Sequence, residues 1–279
     1  FRLLNHRKLN FLFVFVSLTL FVLESGIDDR FHLLWAFVLA GSIAFLAFIL
    51  NLLTLDGARA AVMLGLIAYG FGGFESAFIL VSFFLTSNLV GLFYVKDNEN
   101  PLRSITDRRN GTQVWSNAFW FAIFVCMWYV LKADFMFVAA IGAIATACAD
   151  TWSTEFGTRK SGKTVLITSR EEVKPGTDGG ISIFGTFAAL IGALFIASLT
   201  LLFDKNYPGV TFLAIALGGF LGAMVDSLLG AIFQTGDKRL PNFLDASSDE
   251  DNNSVNFLAT GIGAIITIII YNLVIYVMV

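Results

Sequence analysis

The chain is poor in the residues on which many soluble catalytic and metal-binding sites depend. Its 279 residues include two cysteines, two histidines and four prolines, and only 14% are charged. Cys126 and Cys148 both fall inside apolar runs, so we expect small buried side chains there, and no zinc site. No Ser-His-Asp or Cys-His arrangement and no lysine-containing phosphate loop is visible. A soluble hydrolase or nucleotide-binding domain is therefore not expected.

What the chain has in abundance is apolar surface. Hydrophobic residues make up 57% of it, with 30 Phe. A soluble domain of this length cannot bury so much apolar surface, so we predict an all-α, polytopic helical membrane protein forming one domain over residues 1–279. The first apolar run resembles a signal peptide but lacks a small-residue cleavage site, and we predict that it is retained. About nine spans are predicted, near residues 9–23, 32–53, 58–74, 76–95, 114–131, 135–151, 181–203, 209–235 and 255–278.

The basic residues predict how these spans are oriented. With a cytoplasmic N-terminus, all but three of the 18 Lys and Arg residues fall in cytoplasmic segments, the exceptions being Arg30, Lys132 and Lys205. This bias favours nine spans over eight, with the C-terminus outside. The outer loops are too short to house a site, whereas larger cytoplasmic loops cover about 96–113, 152–180 and 236–254. We expect an integral protein of the cell membrane whose site faces the cytoplasm, with no nucleic-acid partner; the oligomeric state is not indicated.

Two predicted spans carry an Asp followed by a hydroxyl residue. Asp150 lies in CADTWSTEFG (148–157), and Asp226 lies about 13 Å below the membrane surface. A carboxylate at that depth needs a polar cavity, a cation or a structural partner. The surrounding similarity suggests a helix-hairpin repeat, 135–203 and 209–279, which would bring the two Asp residues together. Small residues should let these helices approach closely: Gly142, Ala145, Ala149, Gly218, Gly222 and Gly230.

Carboxylates beside basic loops suit a phosphate ligand with a divalent cation, because Mg²⁺ is held by one or two carboxylates plus phosphate oxygens. The turn KPGTDGGIS (174–182) could offer backbone N–H groups to an anion, although a loop that caps a helix explains it equally well. Topology alone would explain Arg108 and Arg109. A cluster at a helix end would explain Asp150 and Glu155.

The motifs in chain order are DRRNGTQVWSN (107–117), ADTWSTEFG (149–157), KPGTDGGIS (174–182), GAMVDSLLGAIFQ (222–234) and NNSVNFL (252–258). Together they resemble the integral membrane family that includes plant phytyl-phosphate kinase and animal transmembrane protein 19. The resemblance begins near residue 53 and continues to the end of the chain. The family in turn resembles the CTP-using prenol kinases. Asp178, Trp115 and Ser116 depart from the expected pattern.

The resemblance implies an enzyme of membrane lipids, and the carboxylates add the expectation of Mg²⁺. It would transfer a phosphoryl group from a nucleoside triphosphate, CTP by the second resemblance, to an isoprenoid (phytyl or polyprenyl) monophosphate, giving the diphosphate. The matching positions are Arg109, Gln113, Asn117, Asp150, Ser153, Glu155, Gly176, Thr177, Gly179, Gly180, Asp226, Ser227, Gln234, Asn253 and Asn256.

The resulting hypothesis assigns roles within this set. Asp150 and Asp226 would hold Mg²⁺, and Glu155 would be the third catalytic carboxylate. The residues expected to bind substrate or nucleotide are Arg108, Arg109, Gln113, Asn117, Ser153, Lys174, Thr177, Gly179, Gly180, Ser227, Asn253 and Asn256. A lipid cytidylyltransferase, a lipid-phosphate phosphatase and a lipid-phosphate transporter without chemistry remain alternatives.

Overall fold

The protein is a bundle of membrane helices with a small sheet at one end. The computed structural model describes residues 5–24, 27–93, 108–159, 162–204, 206–234 and 248–278. Within these ranges lie nine helices: α1 (His6–Glu24), α2 (Ile27–Ile49), α3 (Leu55–Gly70), α4 (Gly73–Phe93), α5 (Gly111–Leu131), α6 (Asp134–Arg159), α7 (Ile183–Thr200), α8 (Pro208–Phe233) and α9 (Ser248–Met278). The predicted all-α membrane architecture is confirmed.

Eight of these helices are long and apolar enough to cross a membrane. The exception is α3, whose 16 residues extend only about 24 Å against a hydrocarbon core of ~30 Å. It nevertheless connects the two ends of the bundle. The N–H of Thr54 at its start donates to the Arg109 carbonyl, whereas Glu75, soon after its end, lines a cavity at the opposite end. The count of nine spans stays a prediction, and so does the orientation.

Several of the residues on which the orientation prediction depends lie outside the described ranges. Most residues of the predicted 96–113 and 236–254 loops lie outside them as well. The basic ones are Arg2, Lys96, Arg103, Lys160, Lys205, Lys238 and Arg239.

Helices α6, α7, α8 and α9 approach one another through small residues. Gly142 and Gly218 both face Thr267 of α9, and a Cβ at either position would overlap that side chain. Gly222 lies against Thr146 in the same way. The predicted close approach is therefore confirmed, and it places α6 at the centre, with residues 138–149 buried throughout. Cys148 lies in that buried stretch, and Cys126 is buried in α5; both are free thiols, as expected.

Trp115, one of the departures from the family pattern, joins α1 to α5. Its ring is fully buried and stacks on Phe13 with centroids 4.5 Å apart. Its indole N–H donates to Asn10 Oδ1 at 2.7 Å. The large side chain is therefore explained by packing between the two helices.

A three-stranded antiparallel sheet follows α6, and the sequence did not predict it. Its strands are β1 (Thr164–Leu166), β2 (Glu172–Val173) and β3 (Gly180–Ser182), in the order β2-β1-β3. β3 continues directly into α7, and the Ser182 hydroxyl accepts the Gly185 N–H at 3.1 Å as the N-cap. The sheet therefore closes the end of the bundle at which α6 ends and α7 begins.

Candidate functional site

A polar cavity of about 490 Å³ lies at this end of the bundle, and we refer to it as the polar cavity. It is bordered by the starts of α5, α7 and α9, the ends of α6 and α8, and the sheet with its turn. Most of the predicted site residues line it: Arg109, Gln113, Asn117, Asp150, Ser153, Glu155, Thr177, Gly179, Gly180, Asp226, Ser227, Asn253 and Asn256.

The carboxyl groups of Asp150 and Asp226 meet in this cavity. One lies on α6 and the other on α8, and the two are within hydrogen-bonding contact. Two carboxylates in contact repel one another unless a proton or a cation lies between them. In the orientation that its hydrogen-bonding neighbours favour, the side-chain nitrogen of Asn256 donates to Asp226 Oδ1 at 3.1 Å. The predicted Asp–Asp proximity is present, whereas the duplication that suggested it stays a prediction.

The Asp pair fits the requirements of Mg²⁺. Among the described residues, no three His, Cys, Asp or Glu side chains form a complete metal cluster. Mg²⁺ does not require one, because it commonly takes one or two carboxylates and completes its octahedron with water and phosphate oxygens. The hard oxygen donors of Asp150 and Asp226 suit that ion better than a softer metal.

Arg109 provides positive charge at a fixed position in the cavity wall. Its N–H donates to the Leu52 carbonyl and its carbonyl accepts from the Thr54 N–H, both at 3.1 Å. Its guanidinium lies 5.9 Å from the centre of the Phe83 ring. Burial lowers the pKa of Arg109 and the nearby Glu155 charge opposes that effect. Arginine remains protonated in proteins, so the site keeps its cation.

Asp56 holds this arginine segment in place, and the sequence did not indicate it as a site residue. Its carboxylate accepts the Thr54 hydroxyl and the Gly111 N–H, each at 2.7 Å, which ties the start of α3 to the start of α5. A side chain at Gly57 would overlap the Arg109 carbonyl. The signal that could have found Asp56 is the capping pattern of Thr54 and Asp56 before an apolar helix.

The polar residues at the starts of α5 and α9 support one another. Gln113 Oε1 accepts the Asn110 N–H at 2.9 Å, completing a capping box, and the Asn117 amide donates to the Gln113 carbonyl at 2.9 Å. The Ser116 hydroxyl donates to Asn253 Oδ1 at 3.3 Å. Ser116, a departure from the family pattern, thus contacts one of the predicted binding residues.

Two of the three backbone N–H groups expected to form an anion cradle in the glycine turn are used within the turn itself. The Thr177 N–H donates to the Lys174 carbonyl at 3.1 Å, and the Gly180 N–H donates to the Thr177 carbonyl at 2.8 Å. Both groups are therefore used inside the turn. Gly179 has a positive φ of 71°, and a Cβ there would overlap the backbone of Ala231 on α8. The glycine allows the turn to pack directly against α8, one helical turn beyond Ser227.

Two predicted nucleotide-binding residues do not line the polar cavity. Arg108 donates to the side chain of Asn51 instead. The exposed Lys174 contributes its carbonyl to the turn, where it also accepts the Thr177 hydroxyl at 2.8 Å. The cavity lining does not support their assignment to the triphosphate, which stays a prediction, because neighbouring residues in a loop need not face the same side.

Several cavity residues were absent from the predicted site: Thr151, Thr154, Gly157, Thr158, Thr164, Gly176, Asp178, Ser182, Gly185, Gly230, Gln234 and Asn252. Thr164 Oγ1 and Gln234 Nε2 are buried and lack a hydrogen-bond partner in the described part of the chain. Such atoms are costly unless a ligand or water satisfies them. Gln234 was a family-matched position, whereas Thr164 lies on a strand that no sequence pattern predicted.

A second cavity, of about 420 Å³, lies at the opposite end, and we refer to it as the far cavity. Its lining includes Glu75, Asp134, Asp204 and Tyr271. Helix ends form this cavity although the connecting loops are short. The expectation that the outer side houses no site stays a prediction, as does the orientation. The two cavities share no lining residue in the described chain, and the buried 142–149 segment of α6 lies between them.

Comparisons with known proteins agree with the motif resemblance. A family model described as integral membrane protein DUF92 matches residues 38–264. An uncharacterized membrane protein of Methanocaldococcus jannaschii is 32% identical over 77% of this chain and 84% of its own. Protein PGR of Arabidopsis thaliana is 28% identical over 83% and 93%, and Protein VTE6, chloroplastic, of the same plant is 26% identical over 78% and 65%. No solved structure matches the chain.

Proposed function

This chain belongs to the DUF92 family of integral membrane proteins, and from that premise we propose that it is a membrane-embedded phosphotransferase. The proposed reaction moves the γ-phosphoryl group of a nucleoside triphosphate, CTP in our proposal, to an isoprenoid monophosphate such as phytyl phosphate. The plant relatives confirm the resemblance to the family of plant phytyl-phosphate kinase. The donor, the acceptor and the metal belong to the proposal.

One observation carries the proposal: Asp150 and Asp226 meet in a cavity that also contains the fixed cation of Arg109. Phosphoryl transfer needs little covalent participation by the protein and depends on positioning and charge neutralisation. A cavity of about 490 Å³ falls within the ~300–1,000 Å³ of small-molecule sites. Carboxylates for a cation, an arginine for phosphate and unpartnered buried polar atoms are the groups that this reaction uses.

The reaction balances without a protein base. An ionised oxygen of the acceptor phosphate forms a bond to the γ-phosphorus, and the bond from that phosphorus to the β,γ-bridging oxygen breaks. The nucleoside diphosphate leaves with that electron pair. Because the attacking oxygen carries no proton at neutral pH, no histidine is needed.

The side chains of the polar cavity divide this work. Asp150 and Asp226 would hold Mg²⁺, which supplies charge neutralisation for the phosphates when bound. Arg109 would bind phosphate oxygens, Asn256 keeps Asp226 oriented, and Gln234 offers a buried donor. We propose that this end faces the cytoplasm, in the cell membrane, as the distribution of basic residues predicts.

The test uses purified protein in lipid nanodiscs with phytyl monophosphate, Mg²⁺ and CTP labelled in the α- or the γ-position. Transfer of the γ-label into lipid diphosphate supports the kinase. Transfer of the α-label would indicate a cytidylyltransferase, and release of inorganic phosphate from the lipid would indicate a phosphatase. Lipid-phosphate movement across vesicles without turnover would indicate a transporter.

Asp226→Asn tests the carboxylate pair. The substitution keeps the shape and removes one negative charge, so we expect phosphoryl transfer to fall about 100- to 1,000-fold with folding retained. The matched control is Asp134→Asn, at the far end of the helix that carries Asp150, which should leave turnover near the original rate. Near-normal activity of Asp226→Asn would refute the proposed metal site.

A further inference from the structure

A narrow apolar groove opens beside the polar cavity, between α2, α3, α4 and α5. It has a volume of about 100 Å³. Alanines of α2 and α3, among them Ala44 and Ala61, line it together with Leu53 and Phe83. Its lining also includes Arg109, Gln113 and Asn117, which line the polar cavity as well. The groove and the polar cavity are therefore neighbours that share one wall.

The polar cavity is a less favourable place for hydrocarbon than an apolar groove. Each of its lining residues in the described chain is polar, charged or glycine. Hydrocarbon packed against a polar surface does not gain the free energy that burial against an apolar wall provides. The chain of a lipid phosphate bound in the polar cavity must therefore leave the cavity immediately after the phosphate. The groove supplies that apolar wall at the shared residues.

We propose that this groove binds the isoprene unit nearest the phosphate of the lipid substrate. The inference rests on the proposed function and adds the place where the acceptor is recognised. Arg109 marks the junction, because its guanidinium lies over the Phe83 ring and Phe83 lines the groove. A phosphate at that guanidinium has the polar cavity on one side and the groove on the other.

The size of the groove sets how much of the chain it holds. At about 30 Å³ for each carbon-sized group, the share of a water molecule, a volume of about 100 Å³ holds roughly three such groups. The groove therefore suits a short segment within one isoprene unit better than a long chain. The rest of the chain lies in the bilayer, beside exposed apolar residues such as Ile43 and Leu85.

Ala61→Leu tests the groove by filling it. Ala61 is half-buried and lines the groove, so the added carbons take the space meant for the first isoprene unit. We expect the KM for lipid phosphate to rise about 10- to 100-fold, equally for geranyl and phytyl monophosphate, with the KM for CTP unchanged. The control is Ala77→Leu, at a half-buried alanine of α4 that lines neither the groove, the polar cavity nor the far cavity. It should leave the KM for lipid phosphate and the KM for CTP unchanged.

A second measurement uses the unaltered protein, so that misfolding of a variant does not decide the matter. The probe is a prenyl monophosphate with a photoreactive diazirine on its first isoprene unit. Labelling of α2–α5 groove residues that unlabelled phytyl monophosphate competes away supports the inference. Competed labelling on α7 or α8, or no competed labelling, would overturn the inference about the groove. If γ-label transfer is still observed, the proposed function stands. If neither competed labelling nor γ-label transfer is observed, both the inference and the proposed function are overturned.

Discussion

Gly179→Ala is the substitution that most directly tests whether the sheet and its turn belong to the active site. Gly179 sits in the turn before β3 and has a φ of 71°. A Cβ at this position would overlap the N, Cα and Cβ atoms of Ala231 on α8. The substitution therefore combines a disfavoured backbone conformation with a steric overlap against a rigid helix.

The two effects differ in size and in consequence. Placing alanine in the left-handed region costs roughly 1–2 kcal/mol. The added Cβ would lie 2.4 Å from Ala231 atoms, so the turn must move away from α8 by about 1 to 1.5 Å to restore an ordinary contact of ~3.5–4.0 Å. Such a displacement shifts the cavity wall formed by Thr177 and Gly180. A misplacement of about 1 Å at an active site can reduce the rate ~100-fold, which is the loss that we expect.

Two other glycines separate the effects. Gly73 has a φ of 73°, but a Cβ at this position would meet no neighbouring atom within 4 Å. Gly73→Ala therefore loses only the free energy of the disfavoured backbone conformation. Gly209, in the first turn of α8, has neither the positive φ nor a nearby atom. We expect Gly73→Ala to lose about 1 kcal/mol of unfolding free energy and to retain turnover, and Gly209→Ala to retain both.

The assays are γ-label transfer, thermal unfolding in nanodiscs, and hydrogen exchange of residues 176–182. For Gly179→Ala, faster exchange in the turn should accompany the loss of activity, while global unfolding changes no more than in Gly73→Ala. Full turnover with faster exchange would show that the turn is not part of the active site. Unchanged exchange would show that the turn does not pack against α8 as described.

Two further predictions concern the segment around Arg109. Arg109→Ala should raise the KM for the lipid phosphate roughly 10- to 100-fold, because a charge-assisted contact to its phosphate is lost, whereas Arg108→Ala should leave that KM unchanged; steady-state kinetics of both variants decides this. Asp56→Ala should lower the unfolding free energy by about 1 kcal/mol at pH 7, because the Thr54 and Gly111 donors lose their acceptor. Burial alone would raise the pKa of Asp56, but hydrogen bonds from Thr54 and Gly111 outweigh it and hold the pKa below its ordinary value. The stabilisation by Asp56 is therefore present above the pKa of the unfolded state, near 4, and is lost as pH falls through the lower pKa of the folded state. Denaturant unfolding at pH 3 should show a smaller difference in unfolding free energy between the unaltered protein and Asp56→Ala than at pH 7. An equal difference at both pH values would contradict this.

The carboxylates that line the polar cavity were predictable from the sequence because apolar helices rarely contain such residues. Asp150 and Asp226 are conspicuous in spans 135–151 and 209–235, since a buried carboxylate needs a reason to be there. The prediction that they lie together is confirmed by the contact between α6 and α8. Close packing through Gly142 and Gly218 was predictable for the same reason, because small residues in membrane helices mark helix contacts.

Backbone hydrogen bonding in the loops was not predictable, because it depends on how the chain turns in three dimensions. The motif KPGTDGGIS is as consistent with an anion cradle as with a tight turn before a strand. Only the fold shows that Gly180 donates inside the turn and that Gly179 packs on Ala231. In the same way, two neighbouring arginines are equivalent in the sequence, yet Arg109 pairs with the 52–54 segment while Arg108 turns to Asn51.

The sequence by itself determined that the protein is a helical membrane protein and which buried carboxylates mark the candidate site, because hydrophobic length and the cost of buried charge are local properties. The tertiary structure decided which loop residues reach the cavity, that Asp56 ties α3 to α5, and that an apolar groove opens beside Arg109. The contacts that decide them join residues far apart in the chain, such as Asp56 with Gly111 and Gly179 with Ala231, and no local pattern shows which distant partner a residue meets.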